Sequence, residues 1–180
     1  NGRGPSRMFT ISSSPLEKDY IFITAKITQS LFKKSLLKIS ENQSFKFYGP
    51  SGSLVIDEIM KPQYVFLAGG IGITPFRSII KYVSQKKLNI SITLLVSFST
   101  QEDVLFKDEL EEIVKNNPNI KTKYVIGRTN ETDIKKNVEN IYEPLYYIVG
   151  PPSFVSPMED LVSKIGVPSE KIFIENFIGY

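Results

Sequence analysis

Residues 63–80 read QYVFLAGGIGITPFRSII, an apolar run broken by three glycines within residues 69–72. Residues 65–68 are apolar throughout, as in a strand that is buried on both faces. Residues 76–83 then repeat apolar side chains at the spacing of one helix face. This stretch predicts a strand that passes into a helix through a glycine turn.

The chain beyond residue 62 continues to alternate these two patterns. Strands are predicted over residues 64–68, 90–96, 122–126, 145–149 and 172–175, and helices over residues 75–83, 105–114, 134–141 and 154–165. Short apolar strands separated by helices favour a parallel sheet with helices on both faces. We therefore predict an α/β Rossmann-like domain built on a five-stranded parallel sheet.

The first third of the chain has a different pattern. Residues 7–14, 20–27 and 44–49 are short alternating stretches, typical of antiparallel strands. Ser30 is the predicted N-cap of a helical stretch over residues 30–40. This part of the chain predicts antiparallel sheet that belongs to a β-barrel.

Composition narrows the classes of function. The chain of 180 residues is 41% hydrophobic, as is usual for globular proteins. Its net charge is only +3, and its basic residues are distributed along the sequence without forming a basic block, so we expect no nucleic-acid partner. It has no cysteine and no histidine, which argues against Ser-His-Asp catalysis, iron–sulfur clusters and zinc sites. We expect no metal, and redox chemistry would require an organic cofactor. No apolar run reaches the ~20 residues of a membrane span, so a cytoplasmic protein is expected.

The glycine turn has two interpretations. In a parallel sheet it lies at the carboxyl edge, where the N–H groups at the start of a helix bind phosphate. Gly70 and Gly72 would leave room for the ligand, with Thr74 as N-cap and Pro75 as the first helical residue. A tight turn before a buried helix also requires glycine. A second turn, Gly150 followed by two prolines, is expected beside it and would complete a crevice.

Five short motifs follow one another along the chain: RMFT at residues 7–10, GPSG at 49–52, AGGIGITP at 68–75, GPP at 150–152 and ENFIGY at 175–180. In this order they resemble the ferredoxin–NADP reductase superfamily of flavoprotein oxidoreductases. The resemblance implies a flavin-binding β-barrel over residues 1–60 and an NAD(P)-binding α/β domain over residues 61–180. Much of the barrel precedes the first motif in that superfamily, and only six residues do so here, so the barrel is expected to be incomplete.

The resemblance also implies an activity. Hydride would pass from NADH or NADPH to bound FAD, with FMN the less expected flavin. Electrons would then go to a separate acceptor, which is a ferredoxin-like or other redox protein, a missing domain or a small molecule. One alternative is a non-catalytic NAD-binding or electron-transfer subunit of a larger redox complex. Another is a reductase that uses flavin as a loosely held substrate.

Flavin-binding residues are assigned by matching the first motif. Arg7 would hold the flavin phosphate, Phe9 would stack on the flavin, and Thr10 would hydrogen-bond near its reactive nitrogen. Ser12 and Ser13 continue the motif as further donors. The helical stretch matches the segment that holds the flavin pyrophosphate in relatives, through the backbone of Ser30, Leu31 and Phe32 and the charge of Lys33. The alternative for the first motif is an edge strand without a ligand-binding role, and the alternative for Lys33 is a lysine that is only solvated.

Nucleotide-binding residues are assigned in the same way to Gly70, Gly72, Thr74, Pro75, Ser99, Gly150, Pro151 and Pro152. Ser99 stands where many NADPH-selective members have an arginine, so NADH is expected, unless Arg128 or Lys123 approaches the adenosine. Val149 replaces a cysteine that assists hydride transfer in many relatives, which leaves the efficiency of that step open.

The end of the chain supplies the remaining candidates. Tyr180 would lie over the flavin ring as a gate, and Glu175 would help to orient the flavin site. With Thr10 these two residues are the predicted catalytic residues. The alternative is that the terminal aromatic residues only pack against the core.

Overall fold

The computed structural model describes residues 7–178. A short helix, α1 (Leu31–Leu36), precedes an alternating series. That series is β1 (Tyr64–Gly69), α2 (Ile73–Gln85), β2 (Ile92–Phe98), α3 (Lys107–Asn116), β3 (Ile120–Ile126), α4 (Glu131–Asn137), β4 (Leu145–Gly150), α5 (Pro152–Lys164) and β5 (Ile172–Asn176). Single 3₁₀ turns occupy Gly70–Gly72 and Ser169–Lys171. None of the helices within this described range is long and apolar enough to cross a membrane.

The five strands form one sheet in the order β3-β2-β1-β4-β5, and every neighbouring pair is parallel. The predicted five-stranded parallel sheet is therefore confirmed. The chain moves outward from β1 to β3, then crosses back to β4 on the other side of β1. The carboxyl ends of β1 and β4 consequently flank the switch point at which open α/β sheets bind ligands.

Each face of the sheet has its own core. Alternate residues of β1 point to opposite sides, so Tyr64 and Phe66 pack on the side of α2, while Val65 and Leu67 pack on the side of α5. The rings of Phe66 and Phe76 stack with centroids 4.4 Å apart. All six residues of β1 are buried, which explains the unbroken apolar run in the sequence.

Residues 7–63 contain only α1 and an isolated antiparallel bridge between Ile11 and Ile23. The strands predicted over residues 7–14, 20–27 and 44–49 are not formed beyond that bridge, and the barrel is not shown. Phe45, Phe47 and Tyr48 are exposed there. A pair of strands is marginally stable by itself, so these stretches require further strands to pair with before they form a sheet.

Candidate nucleotide and flavin site

A cleft of about 650 Å³ opens at the carboxyl edge of the sheet. Its floor comes from the ends of β1, β2 and β4, which contribute Gly70, Ser99 and Pro151 among others. Residues 24–28, from the part of the chain before the sheet, form the opposite wall. The cleft thus lies at the switch point of the sheet, and the first part of the chain forms its remaining wall.

Gly70 presents an open backbone to this cleft. Its φ is +52°, in the left-handed region that favours glycine, and a Cβ built there would meet nothing within 4 Å. A ligand can therefore approach the peptide backbone at this point without a side chain in the way. This geometry agrees with the interpretation of the turn as a phosphate site.

Gly72 has a different role. A Cβ built there would lie 2.7 Å from the carbonyl carbon of Val149, closer still to its oxygen, and 2.9 Å from Cα of Gly150. This glycine is buried and does not line the cleft, so it is required by the packing of the turn against β4. The tight-turn interpretation therefore holds at Gly72, and the phosphate-site interpretation stays a prediction for Gly70.

The prediction of Thr74 as N-cap is wrong. The helix begins at Ile73 with Gly72 as its N-cap, because the 3₁₀ turn starts the helical winding earlier than the sequence pattern indicates. Thr74 and Pro75 are buried inside the first turn, and the Thr74 hydroxyl donates to the carbonyl of Ile71 at 2.9 Å. Pro75 still falls where a helix needs no N–H partner. Neither side chain reaches the cleft.

The second turn lies beside the first. Gly150 packs on Gly69, and a Cβ there would lie 3.2 Å from the Gly69 backbone. Pro151 lines the cleft, whereas Pro152 begins α5 and points to solvent. Val149 is fully buried within the core, so it presents no side chain to the cleft.

The far end of the cleft carries charged side chains. Glu102 and Asp103 line it together with Lys26 and Arg128. Lys26 Nζ lies 3.0 Å from an Asp103 oxygen, and Arg128 donates to the carbonyl of Ser153 at 3.3 Å. Hydrogen bonds from its own backbone N–H and from Thr100 lower the pKa of Glu102. Lys123 does not line the cleft.

The sequence did not point to Lys26, Glu102 or Asp103. Glu102 and Asp103 lie in the loop that follows β2, and their position after a predicted strand was a signal for this edge of the sheet. Lys26 had no such signal, since its place beside the cleft depends on how the first third of the chain folds over the sheet.

The flavin motif and α1 meet in space although more than 20 residues separate them in sequence. The Phe9 and Phe32 rings stack with centroids 6.1 Å apart, and the guanidinium carbon of Arg7 lies 5.0 Å from the Phe32 ring centre. Thr10 is half-buried beside them. The structure thus places a cation and two aromatic rings together, while their role in flavin binding stays a prediction.

The other residues proposed for flavin differ in their surroundings. Ser30 flanks α1, whose six residues start with the exposed Leu31. Lys33 is buried, donates to the Lys26 carbonyl at 2.9 Å, and has its pKa lowered by that burial. It therefore joins α1 to the cleft wall.

The two serines after the motif lie away from the open surface. Ser13 Oγ accepts a hydrogen bond from the Phe22 amide at 3.2 Å, and both serines are buried. Ser12 Oγ has no hydrogen-bond partner within residues 7–178. Neither hydroxyl lines the cleft, so their placement favours a role in packing.

Residues 66–160, more than half of the chain, match the family model described as the oxidoreductase NAD-binding domain. The chain belongs to this family. The resemblance to the ferredoxin–NADP reductase superfamily is thereby confirmed, and the matched residues contain the glycine turn, the strands β2, β3 and β4, and the helices α2, α3 and α4.

Individual relatives extend beyond the NAD-binding domain. The chain is 28% identical to a flavohemoprotein of Bacillus subtilis over 95% of its own length and 46% of that protein. It is 26% identical to NADH-cytochrome b5 reductase 1 of Aspergillus oryzae over 89% of its length and 61% of that protein. The chain therefore spans about half the length of these relatives.

Among solved structures, the ferredoxin-NADP⁺ reductase of Plasmodium falciparum superposes with a TM-score of 0.75. The match covers 95% of this chain and 77% of that one, at 21% sequence identity. At this identity the likeness shows the fold. It includes residues before the NAD-binding domain, since that domain alone is much shorter than the aligned part.

Of the two predicted residues at the chain end, the structure describes Glu175. Glu175 lies on β5 in register with Val149, half-buried, and burial raises the pKa of its carboxyl. It does not line the cleft. Tyr180 lies outside the described residues 7–178, so the gate remains a prediction.

One cluster of charged side chains on the NAD-binding domain was missed by the sequence analysis. Arg77 and Lys81 of α2 form ion pairs with Glu109 of α3 and with Glu17 from the first part of the chain. We call these four residues the seam cluster, because they join the NAD-binding domain to the segment that follows the flavin motif. Its members come from three separate stretches of sequence, so no local pattern announces it.

Proposed function

We propose that this protein binds FAD and NAD(P)H, transfers hydride from the nicotinamide nucleotide to the flavin, and passes electrons to a separate acceptor. The observation that carries the proposal is the cleft at the switch point. Gly70 opens into it from the NAD-binding domain, and the wall opposite belongs to the half of the chain that carries Arg7 and Phe9. Nucleotide candidates therefore line the cleft, and the flavin candidate Lys33 is connected to its wall through the carbonyl of Lys26.

The donor set fits these ligands. The open backbone at Gly70 and the start of α2 suit the pyrophosphate of the nucleotide. The guanidinium of Arg7 suits a flavin phosphate through paired, charge-assisted hydrogen bonds, and Phe9 and Phe32 offer flat apolar surface to a ring. When bound, FAD supplies the chemistry that connects a two-electron donor to one-electron acceptors. Residues 1–60 would then be the final part of a flavin-binding barrel.

A second candidate function is a nucleotide-binding subunit that holds NAD(H) without flavin. The observation in its favour is that residues 7–63 form no barrel in the structure. Purification in the presence of FAD, followed by dialysis and a visible spectrum, separates the possibilities. Retained yellow colour supports the flavoprotein, activity only with added FAD indicates flavin used as a substrate, and no flavin binding at all supports the NAD-only subunit.

Arg7→Ala is expected to weaken FAD binding about tenfold to a hundredfold, because hydrogen bonds to charged groups contribute about 1.5–3 kcal/mol. The rate of hydride transfer in protein saturated with FAD is expected to change less. Quenching of flavin fluorescence on titration measures the affinity. Lys34→Ala, which removes an exposed cation from α1, is the matched control. Equal FAD affinity in Arg7→Ala and the parent would remove Arg7 from the site.

NADH is expected to be preferred over NADPH. The ribose 2′-phosphate of NADPH would bring negative charge towards Glu102 and Asp103 at the far end of the cleft. The two cations there are already engaged, Lys26 with Asp103 and Arg128 with the carbonyl of Ser153. Removing one carboxylate by Asp103→Asn is expected to narrow the preference about fivefold, since a charge pair near 4 Å in water is worth about 1 kcal/mol. Steady-state kcat/KM with both nucleotides measures this, with Asp108→Asn on α3 as control. A parent enzyme that prefers NADPH would contradict this assignment.

A further inference from the structure

We propose that Arg77 is a positioning residue that fixes the segment after the flavin motif against the NAD-binding domain. The inference rests on the proposed function, because it assigns the residue that sets the flavin half in register with the nucleotide half. Arg77 contacts neither candidate ligand-binding surface directly. It acts through the backbone of residues 12–14 and through Glu17.

All three nitrogens of the Arg77 guanidinium donate hydrogen bonds. Nε and Nη2 donate to the two carboxylate oxygens of Glu109 at 2.7 and 2.6 Å, which is the paired geometry that arginine makes and lysine does not. Nη1 donates to the carbonyl of Ser12 at 2.6 Å and to Glu17 at 3.3 Å. The side chain is 5% exposed, so water does not compete for these bonds.

Aromatic rings hold the same guanidinium from both halves of the chain. Its central carbon lies 4.4 Å from the ring centre of Phe22, which precedes the sheet, and 5.4 Å from that of Phe106, at the start of α3. Such cation–π contacts strengthen when the cation is removed from water. Arg77 therefore has one defined position relative to both halves.

Residues 12–14, which we call the serine segment, are also bound to α2 by hydrogen bonds of their own. The Ser13 carbonyl accepts from Ser78 at 2.7 Å, and the Ser14 hydroxyl donates to Gln85 at 2.6 Å. Glu17 folds back on the same segment, since the Ser14 amide donates to its carboxylate at 2.6 Å. Lys81 closes the seam cluster by donating to Glu17 at 2.5 Å and to Glu109 at 2.8 Å.

The two ends of this connection are functional candidates. The anchored serines follow Thr10 by two residues, and α2 follows the glycine turn directly. A shift of the serine segment over α2 would move the flavin motif relative to Gly70. Since misplacement by about 1 Å can cost up to a hundredfold in rate, loss of Arg77 is expected to affect transfer more than binding.

The test compares Arg77→Met with the parent and with Lys86→Met. Lys86 directly follows α2 as its C-cap and pairs with Glu58 from the first half of the chain, but at an exposed position away from the flavin motif. Amide hydrogen exchange of residues 12–14 is measured in flavin-free protein. The FAD affinity, the KM for NADH and kcat are measured in protein reconstituted with FAD.

Arg77→Met is expected to speed exchange at the amides of residues 12–14 at least tenfold and to lower kcat tenfold or more, with FAD affinity and KM changed less than twofold. Lys86→Met should match the parent throughout. A folded Arg77→Met variant with unchanged exchange and kcat would overturn the inference, as would a variant that only unfolds at lower temperature. If Arg77→Met does not fold, the same exchange and kinetic measurements are made on Glu17→Gln and judged by the same criteria.

Failure of the proposed function gives a different result. If the parent itself, with FAD bound, is not reduced by NADH, the reductase proposal fails whatever the variants do. The exchange measurement then still decides whether Arg77 fixes residues 12–14. If the parent is active and Arg77→Met has the same kinetics as the parent, only the inference about Arg77 is contradicted.

Discussion

Gly72→Ala is expected to lower the free energy of unfolding by about 3 kcal/mol or more, at the upper end of the cost of overpacking a core. The added methyl group would enter the backbone of Val149 and Gly150, which are rigid parts of β4 and cannot rotate away. The turn and the strand would have to separate. Because β1 and β4 are neighbours at the centre of the sheet, the whole NAD-binding domain is affected.

Gly70→Ala is the matched control for this prediction. It adds the same methyl group two residues earlier, where nothing lies within 4 Å. Its cost is the left-handed backbone alone, about 1 kcal/mol. Urea unfolding of both variants, together with nucleotide binding, separates the two roles. Equal stability losses, or nucleotide binding unaffected by Gly70→Ala, would contradict the division between a packing glycine and a ligand-facing glycine.

The second large effect is the loss of stability in acid through Glu17. Burial would raise the pKa of this carboxyl, but hydrogen bonds from Lys81, the Ser14 amide, Tyr20 and Arg77 outweigh it and lower the pKa from 4.5 to about 2. A lowered pKa in the folded state means that the stabilisation is complete above the unfolded-state value and is lost as pH falls towards 2. At about 1.4 kcal/mol per pKa unit, the contribution is roughly 3 kcal/mol.

The measurement is the difference in unfolding free energy between parent and Glu17→Gln as a function of pH. We expect roughly 3 kcal/mol at pH 6, shrinking to a small fraction of that at about pH 2, where half of the glutamate is protonated in the folded protein. Glu131→Gln breaks the exposed pair with Lys135 and is expected to change little over the same range. A Glu17→Gln difference that does not depend on pH would show that the carboxylate charge is not what stabilises the seam cluster.

The NAD-binding half of the fold was accessible from the sequence because its signals are local. Apolar strands such as residues 145–149 are buried on both faces and leave no alternation to misread. The element ends were less accurate, as at α2, where a 3₁₀ turn brings the start of the helix forward to Ile73. The strands predicted in the first third of the chain are not formed, because strand formation there depends on partner strands and not on the alternating pattern itself.

The candidate site could be predicted from the sequence only in part, because only some of its residues carry a local signal. Gly70, Ser99 and Pro151 follow strands at the carboxyl edge, so topology alone predicts their position beside a ligand. The sequence could not distinguish Gly70 from Gly72, because the difference lies in what β4 places next to each glycine. Lys26 and Arg77 were inaccessible, since their roles arise from contacts between distant stretches of the chain.

The central claim is that one protein brings nicotinamide nucleotide and flavin together for hydride transfer. Anaerobic addition of NADH to the protein reconstituted with FAD tests it most directly, with the visible flavin absorbance followed over time. We predict that the absorbance bleaches with a rate that saturates as NADH is increased. Bound FAD whose spectrum does not change with either NADH or NADPH would contradict the account.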